Sequence, residues 1–102
     1  MFKAMIMLTR GSDMSHEEFK AWWIGEHQPL ARQLPGVQKI RFNVVEQDET
    51  APCDGIAELW FETQEDFIAA YATEIGKAVA ADSMSHLASR VRMFTEEVDV
   101  FG

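Results

Sequence analysis

The apolar residues of this chain switch period along its length, from strand-like to helix-like and back, and the order of the switches leaves room for few folds. Residues 2–9, FKAMIMLT, are apolar at nearly every position, as a central strand covered on both faces should be. Arg10-Gly11-Ser12 ends the run. In DMSHEEF, Ser15 stands as an N-cap with Glu18 at the capping-box position, and Met14 can staple onto Phe19, so a helix is predicted from about His16. Phe19, Trp23, Leu30 and Leu34 then share one sector of a helical wheel. Pro29 has no N–H for the carbonyl four residues back, which predicts a kink near Gly25, and Leu34-Pro35-Gly36 stops the helix.

The second half follows the same logic. VQKIRFNVVE alternates Ile40, Phe42 and Val44 against Lys39, Arg41 and Asn43, the pattern of a half-buried strand. A polar loop, QDETAPCDG, separates it from IAELWFE, and the two strands are predicted to pair antiparallel. Thr63 with Glu65 and Asp66 caps a second helix carrying Phe67, Ala70 and Tyr71, with a break at Thr73 to Gly76 and a restart as KAVAAD. Residues 90–101 read as the last strand. The order βαββαβ predicts an α+β, ferredoxin-like fold, an antiparallel sheet with the helices on one face. No repeat, low-complexity tract or linker divides residues 1–102, so a single domain is expected.

Helices on one face leave the other to be covered. Met5, Met7, Ile56, Trp60, Phe94 and Val98 are too many large apolar side chains for two short helices to bury, and an apolar sheet face in water invites association. A homodimer joined sheet to sheet is the expected form. Composition narrows the partners further. With 9 basic against 17 acidic residues, a net charge of −8, the chain repels phosphate backbones and anionic lipid, so neither nucleic acid nor a membrane surface is expected as a partner. The apolar opening is too short for a bilayer span and its charge order is wrong for a signal peptide. The lone Cys53 cannot form an internal disulfide, and a cytoplasmic location is expected.

The segment WWIGEHQPLARQLPG carries a histidine and a proline where a merely packing helix needs neither. His27 follows Trp23 by one helical turn and lies roughly forty degrees from the centre of the apolar sector, so it should border the core. An imidazole there, with an unperturbed pKa of about 6.5, can take a proton from a carbon acid or hydroxyl near neutral pH. The plainer alternative is a structural histidine that satisfies the carbonyl freed by Pro29.

The combination MSHEEFKAWWIGEHQPLARQLPG, DGIAELWF and EIGKAVAADS resembles the EthD family of dimeric α/β barrel proteins, the His-x-Pro-Leu element before Leu-Pro-Gly being its most specific part. The resemblance spans almost the whole chain. It implies a small sheet-to-sheet homodimer, a family range that includes methylmuconolactone isomerases and polyketide-ring dehydratases, and a catalytic histidine matching His27 that faces a pocket between helix and sheet. It also implies an aromatic hydroxyl shortly after the Pro-Gly turn, where this chain has Ile40, Arg41 and Phe42. Substrate-contacting candidates around His27 are Trp23, Ile40, Phe42, Glu58, Trp60 and Asp82. Glu58, a carboxylate between apolar neighbours, could orient His27 or have a raised pKa; the commoner alternative is a strand partner of Arg41 or Lys39. Asp82 with His86 reads as a helical i,i+4 pair at the surface or a second polar cluster. His16, His27 and His86 show no metal-ligand spacing, and there is no glycine-rich phosphate loop, so neither metal nor cofactor is expected. Two functions follow: a cofactor-independent enzyme (isomerase, dehydratase or oxidoreductase) acting on a small cyclic or carbonyl compound through His27, or a non-catalytic accessory protein that binds a small apolar metabolite.

Overall fold

Strand β1, Phe2–Arg10, sits inside a four-stranded antiparallel sheet of order β2-β3-β1-β4, with β2 Lys39–Val44, β3 Gly55–Phe61 and β4 Leu87–Thr95. This is the ferredoxin-like α+β arrangement; the computed structural model describes every residue from Met1 to Gly102. Alternation along the strands decides the faces. Ala4, Ile6 and Leu8 of β1 and Ala57, Leu59 and Phe61 of β3 point to the helices and make the core with Phe19, Trp22, Trp23, Leu34, Phe67 and Val79. Helix α1, His16–Trp22, begins at the predicted capping box, in which Ser15 and Glu18 satisfy each other's backbone N–H groups.

The irregularity expected near Gly25 is present, as a wider helical turn rather than a break. Between α1 and α2, Gln28–Ala31, the chain makes a π-helical turn over Trp23–His27, in which the N–H of Gln28 reaches back to the carbonyl of Trp23. Pro29 falls in the first turn of α2, where a missing N–H costs little. The wider turn changes which residues meet. At 100° per residue, positions five apart lie about 140° away from each other on an α-helix. Here Trp22 and His27 pack together with ring centroids 5.0 Å apart. Both tryptophans and His27 are thereby buried on one side.

The second helical segment breaks earlier than the sequence suggests. Helix α3, Gln64–Ala72, ends at Thr73, which then caps α4, Glu74–His86, by accepting from the N–H of Gly76. Gly76 is therefore inside the first turn of α4 and not part of the break. A Cβ at Gly76 would lie 2.2 Å from the Ala70 carbonyl oxygen, so the close approach of the two helices requires glycine. Gly55 is the second such place: Trp23 lies flat on it, and a Cβ there would fall 2.6 Å from the indole ring.

Strand β4 also starts and stops earlier than residues 90–101. Its register on β1 runs from Arg10↔Leu87 to Lys3↔Thr95, so it ends where β1 runs out. Two expectations for the open sheet face change as a result. Phe94 pairs with Ala4 and points to the helix side, packed edge-on against Phe2 and Phe67, while Val98 lies beyond the sheet. Met5, Met7, Ile56, Val91 and Met93 remain on the open face, with Val91 and Met93 still 49% and 38% exposed. Trp60 on that face is covered by polar groups: the Lys3 and Lys39 ammoniums each stand 4.7 Å over its ring, and its indole N–H donates to Glu97 at 3.2 Å. No helix is long and apolar enough to cross a membrane.

Candidate functional site

His27 is 5% exposed and held between the π turn and α4. Its Nδ1 lies 2.8 Å from Asp82 Oδ2, to which the Trp22 indole N–H also donates at 3.2 Å. A carboxylate only accepts, so Nδ1 carries the proton and Nε2 is left as the basic lone pair. Nε2 faces a small cavity and receives the hydroxyl of Ser83 at 3.4 Å. Burial pushes the His27 pKa below its usual value; the hydrogen bond and charge of Asp82 oppose this, and Arg90 and His86 reinforce it. The imidazole is thus neutral and oriented near physiological pH. The Gly25 carbonyl, the partner expected for a structural histidine, is not bonded to it.

The cavity has a volume of about 20 Å³, room for one water. The sheet side contributes Ile6, Leu8, Ala57 and Leu59, and α4 contributes Val79. Trp23 and Phe42 close it, and its other polar side chains are Ser83, Tyr71 and Arg90. An open groove of about 560 Å³ runs outside, between the π turn with α2 and strand β2, lined by Ile24, Gln28, Arg32, Val37, Ile40 and Phe42. Phe42 belongs to both spaces. Its ring lies parallel to Trp23 at 4.2 Å and faces His27 at 6.3 Å, so this one half-buried side chain is the wall between groove and cavity.

The sequence-derived candidates therefore divide. His27, Trp23 and Phe42 meet at the cavity, and Ile40 lines only the groove. Asp82 stands behind the imidazole as its orienting carboxylate rather than on the cavity wall, and its pairing with His86 is secondary: the His86 Nδ1 donates to the Asp82 backbone carbonyl at 2.8 Å while its ring stacks on Trp22. Glu58 and Trp60 are on the opposite sheet face, because residues of β3 alternate and Leu59 between them faces the helices. Glu58 does not reach His27, and its ion pair is with Lys3 at 2.7 Å rather than with Arg41 or Lys39; Lys3 and then the Asn43 amide hold its carboxyl below the usual range. Ser83, Tyr71 and Arg90 were not anticipated. Tyr71 and Ser83 look like ordinary helix residues, and Arg90 lies where the apolar pattern of β4 is inverted, with Val91 and Met93 turned away from the core.

The other titratable clusters do not line this cavity. Buried Asp54 joins the Arg10 guanidinium and the His16 Nδ1, the latter at 2.8 Å. Cys53 is buried beside it, and burial pushes its thiol pKa up, away from the reactive thiolate. His, Cys, Asp and Glu side chains form no group of three arranged to hold a metal ion.

The fold has solved counterparts. An ethyl tert-butyl ether degradation (EthD) family protein from Bacillus halodurans is 22% identical and superposes with a TM-score of 0.82 over 96% of this chain and 100% of its own. A dimeric protein of ferredoxin-like fold from Bacteroides fragilis gives 0.72 at 12% identity, covering 94% and 95%. SnoaB, a cofactor-independent oxygenase from Streptomyces nogalater, gives 0.71 at 10% identity, covering 98% and 95%. No curated protein matches the sequence. The sequence model of the EthD domain matches residues 11–90, a span that holds the π turn, His27, Asp82 and Arg90, and on that match the chain belongs to the EthD family.

Proposed function

We propose that the protein binds a small cyclic or carbonyl compound and moves a proton on it without a cofactor, with His27 as the base. The observation that carries this reading is a buried imidazole whose Nδ1 is fixed by Asp82 and whose Nε2 faces an apolar cavity. That is the arrangement of an oriented general base in a small-molecule site. Nε2 takes a proton from a carbon next to a carbonyl and returns it to another carbon, which is isomerisation, or to a departing hydroxyl, which is elimination of water. Oxidoreductase chemistry has support only from SnoaB and from a putative antibiotic biosynthesis monooxygenase of Nitrosomonas europaea that shares the fold.

A second reading, a non-catalytic protein that binds a small apolar metabolite, is favoured by the sizes of the two spaces: the groove of about 560 Å³ outside Phe42 has room for a ring, whereas the void of about 20 Å³ at His27 has room for one water. The two separate on exchange. In deuterium oxide, a panel of cyclic ketones and lactones should gain deuterium at the carbon beside the carbonyl, followed by NMR. His27→Ala should slow this by roughly 10²–10⁴-fold with a smaller effect on melting. Binding of panel members with no exchange decides for the accessory, non-catalytic reading.

We also propose a homodimer through the open sheet face. Dimeric ferredoxin-like relatives support it, as does the half-exposed stripe of Met5, Met7, Ile56, Val91 and Met93. The cytoplasm remains the proposed compartment, on the strength of one unpaired cysteine.

A further inference from the structure

We infer that Arg90 and Tyr71 form the oxyanion-binding side of the His27 cavity, and that the substrate is accordingly an enolisable carbonyl compound whose oxygen lies between the guanidinium and the phenol. The inference rests on His27 being the base. The cavity is walled by carbon except at His27, Ser83, Tyr71 and Arg90, which arrive from the π turn, α4, α3 and β4. Register places Arg90 opposite Leu8 on the helix side of the sheet, and its guanidinium carbon is 5.8 Å from the centre of the Tyr71 ring.

Arg90 stands apart from the other cations of the chain. Of the nine basic side chains, only Lys3, Arg10 and Arg90 are not exposed. Lys3 is paired with Glu58 and Glu97, and Arg10 with Asp54, but Arg90 has no carboxylate partner. Arg90 is thus the one cation of the chain that is neither exposed nor paired with a carboxylate, and it stands at the edge of this cavity beside the Tyr71 phenol. Arg92, the next inward residue of β4, is spent elsewhere: its guanidinium lies 4.3 Å over Phe94, and it does not line the cavity.

Chemistry supplies the need for such a group. When Nε2 removes a proton from the carbon beside a carbonyl, the C–H electron pair forms a carbon–carbon double bond and the carbonyl pair moves onto oxygen. The enolate oxygen then carries the charge, and prearranged donors at that oxygen lower the barrier most. The imidazolium later returns its proton to carbon, so no oxidant or second reactant is required. Arg90 supplies a permanent charge, and Tyr71 an O–H that burial keeps protonated. The same guanidinium disfavours a second positive charge on His27, which keeps the base free.

The probe is 4-nitrophenol, a planar ring with one ionisable oxygen whose colour reports its charge. Titrated with the full-length protein, the bound phenol should ionise at lower pH than the free phenol. Arg90→Met should weaken that bound ionisation at least about tenfold, with Tyr71→Phe weaker in effect, Arg90→Lys retaining part, and His27→Ala retaining most. Arg90→Met should also slow deuterium exchange by about 10²-fold with its circular dichroism unchanged. The inference is overturned if the phenol is not bound at millimolar concentration, or is bound with no shift, or if the shift survives Arg90→Met and Arg90→Lys alike. A shift lost in His27→Ala but kept in Arg90→Met also overturns it while leaving His27 as base; exchange that is insensitive to His27→Ala instead removes the base itself.

Discussion

His27 is the residue at which burial and charge meet, and its pKa direction has a stability consequence. A histidine whose folded pKa lies below its unfolded value of 6.5 binds fewer protons when folded, so its contribution is present above about pH 6.5 and is lost as pH falls through the lowered value. The depressed carboxyls of Asp54 and Glu58 act only in a more acidic range, starting from ordinary values of 3.8 and 4.5. Urea unfolding at pH 7.5 and pH 5.5 should therefore show a loss of stability in acid that His27→Phe largely abolishes; an equal loss in the variant would refute the assignment. Asp82→Asn is a sharper probe of orientation. It keeps the shape but removes the carboxylate that fixes the tautomer, so exchange should fall by at least about tenfold while ligand affinity changes little. His27 itself was legible from the segment WWIGEH, whereas its partner was not. Asp82 follows it by 55 positions, and nothing local in AADSMSH distinguishes an inward carboxylate from a solvated one.

At the level of elements, the order and pairing of strands were readable because period-2 and period-3.6 stretches are separated by clear caps and turns. Ser15 and Thr63 cap helices where the sequence puts them, whereas α2 already ends at Ala31, ahead of Leu34-Pro35-Gly36, of which Gly36 takes the left-handed turn. The π turn was not readable. Its signal, Pro29, is equally compatible with a kink, and only tertiary packing of both Trp22 and Trp23 selects the wider turn that buries them together. Since Pro29 occupies the first turn of α2, Pro29→Ala should shift stability by less than about 1 kcal/mol in chemical denaturation, not by the ~3 kcal/mol expected in a helix interior. Gly76→Ala is the opposite case. The added methyl meets the Ala70 carbonyl with no flexible side chain to yield, so α3 and α4 must separate and stability should fall by at least about 1–3 kcal/mol.

For the molecule as a whole, Met5, Met7 and Ile56 were assigned to the correct sheet face, while Phe94 and Val98 were misplaced where the end of β1 sets the limit of β4, and Glu58 and Trp60 were expected near His27 although they lie on the other face. The inverted β4, cations inward and Val91 and Met93 outward, concealed Arg90 for the same reason: an amphipathic pattern says which residues share a face, not which face is the core. If the outward stripe is a dimer surface, Met93→Lys together with Val91→Asp should convert a dimer to monomer in sedimentation at micromolar concentration, with a lower melting temperature that no longer depends on protein concentration. A wild-type monomer under those conditions would reject it. Phe42, stacked between groove and cavity, bears on timing. If the proposed ligand carries a ring into this cavity, a void with room for one water requires Phe42 to leave its stack on Trp23, and the apparent affinity is then diminished by the fraction of molecules in which it has done so. Phe42→Ala should then raise the affinity for a ring compound, measured by calorimetric titration, because the space now filled by the phenyl ring joins the groove to the cavity.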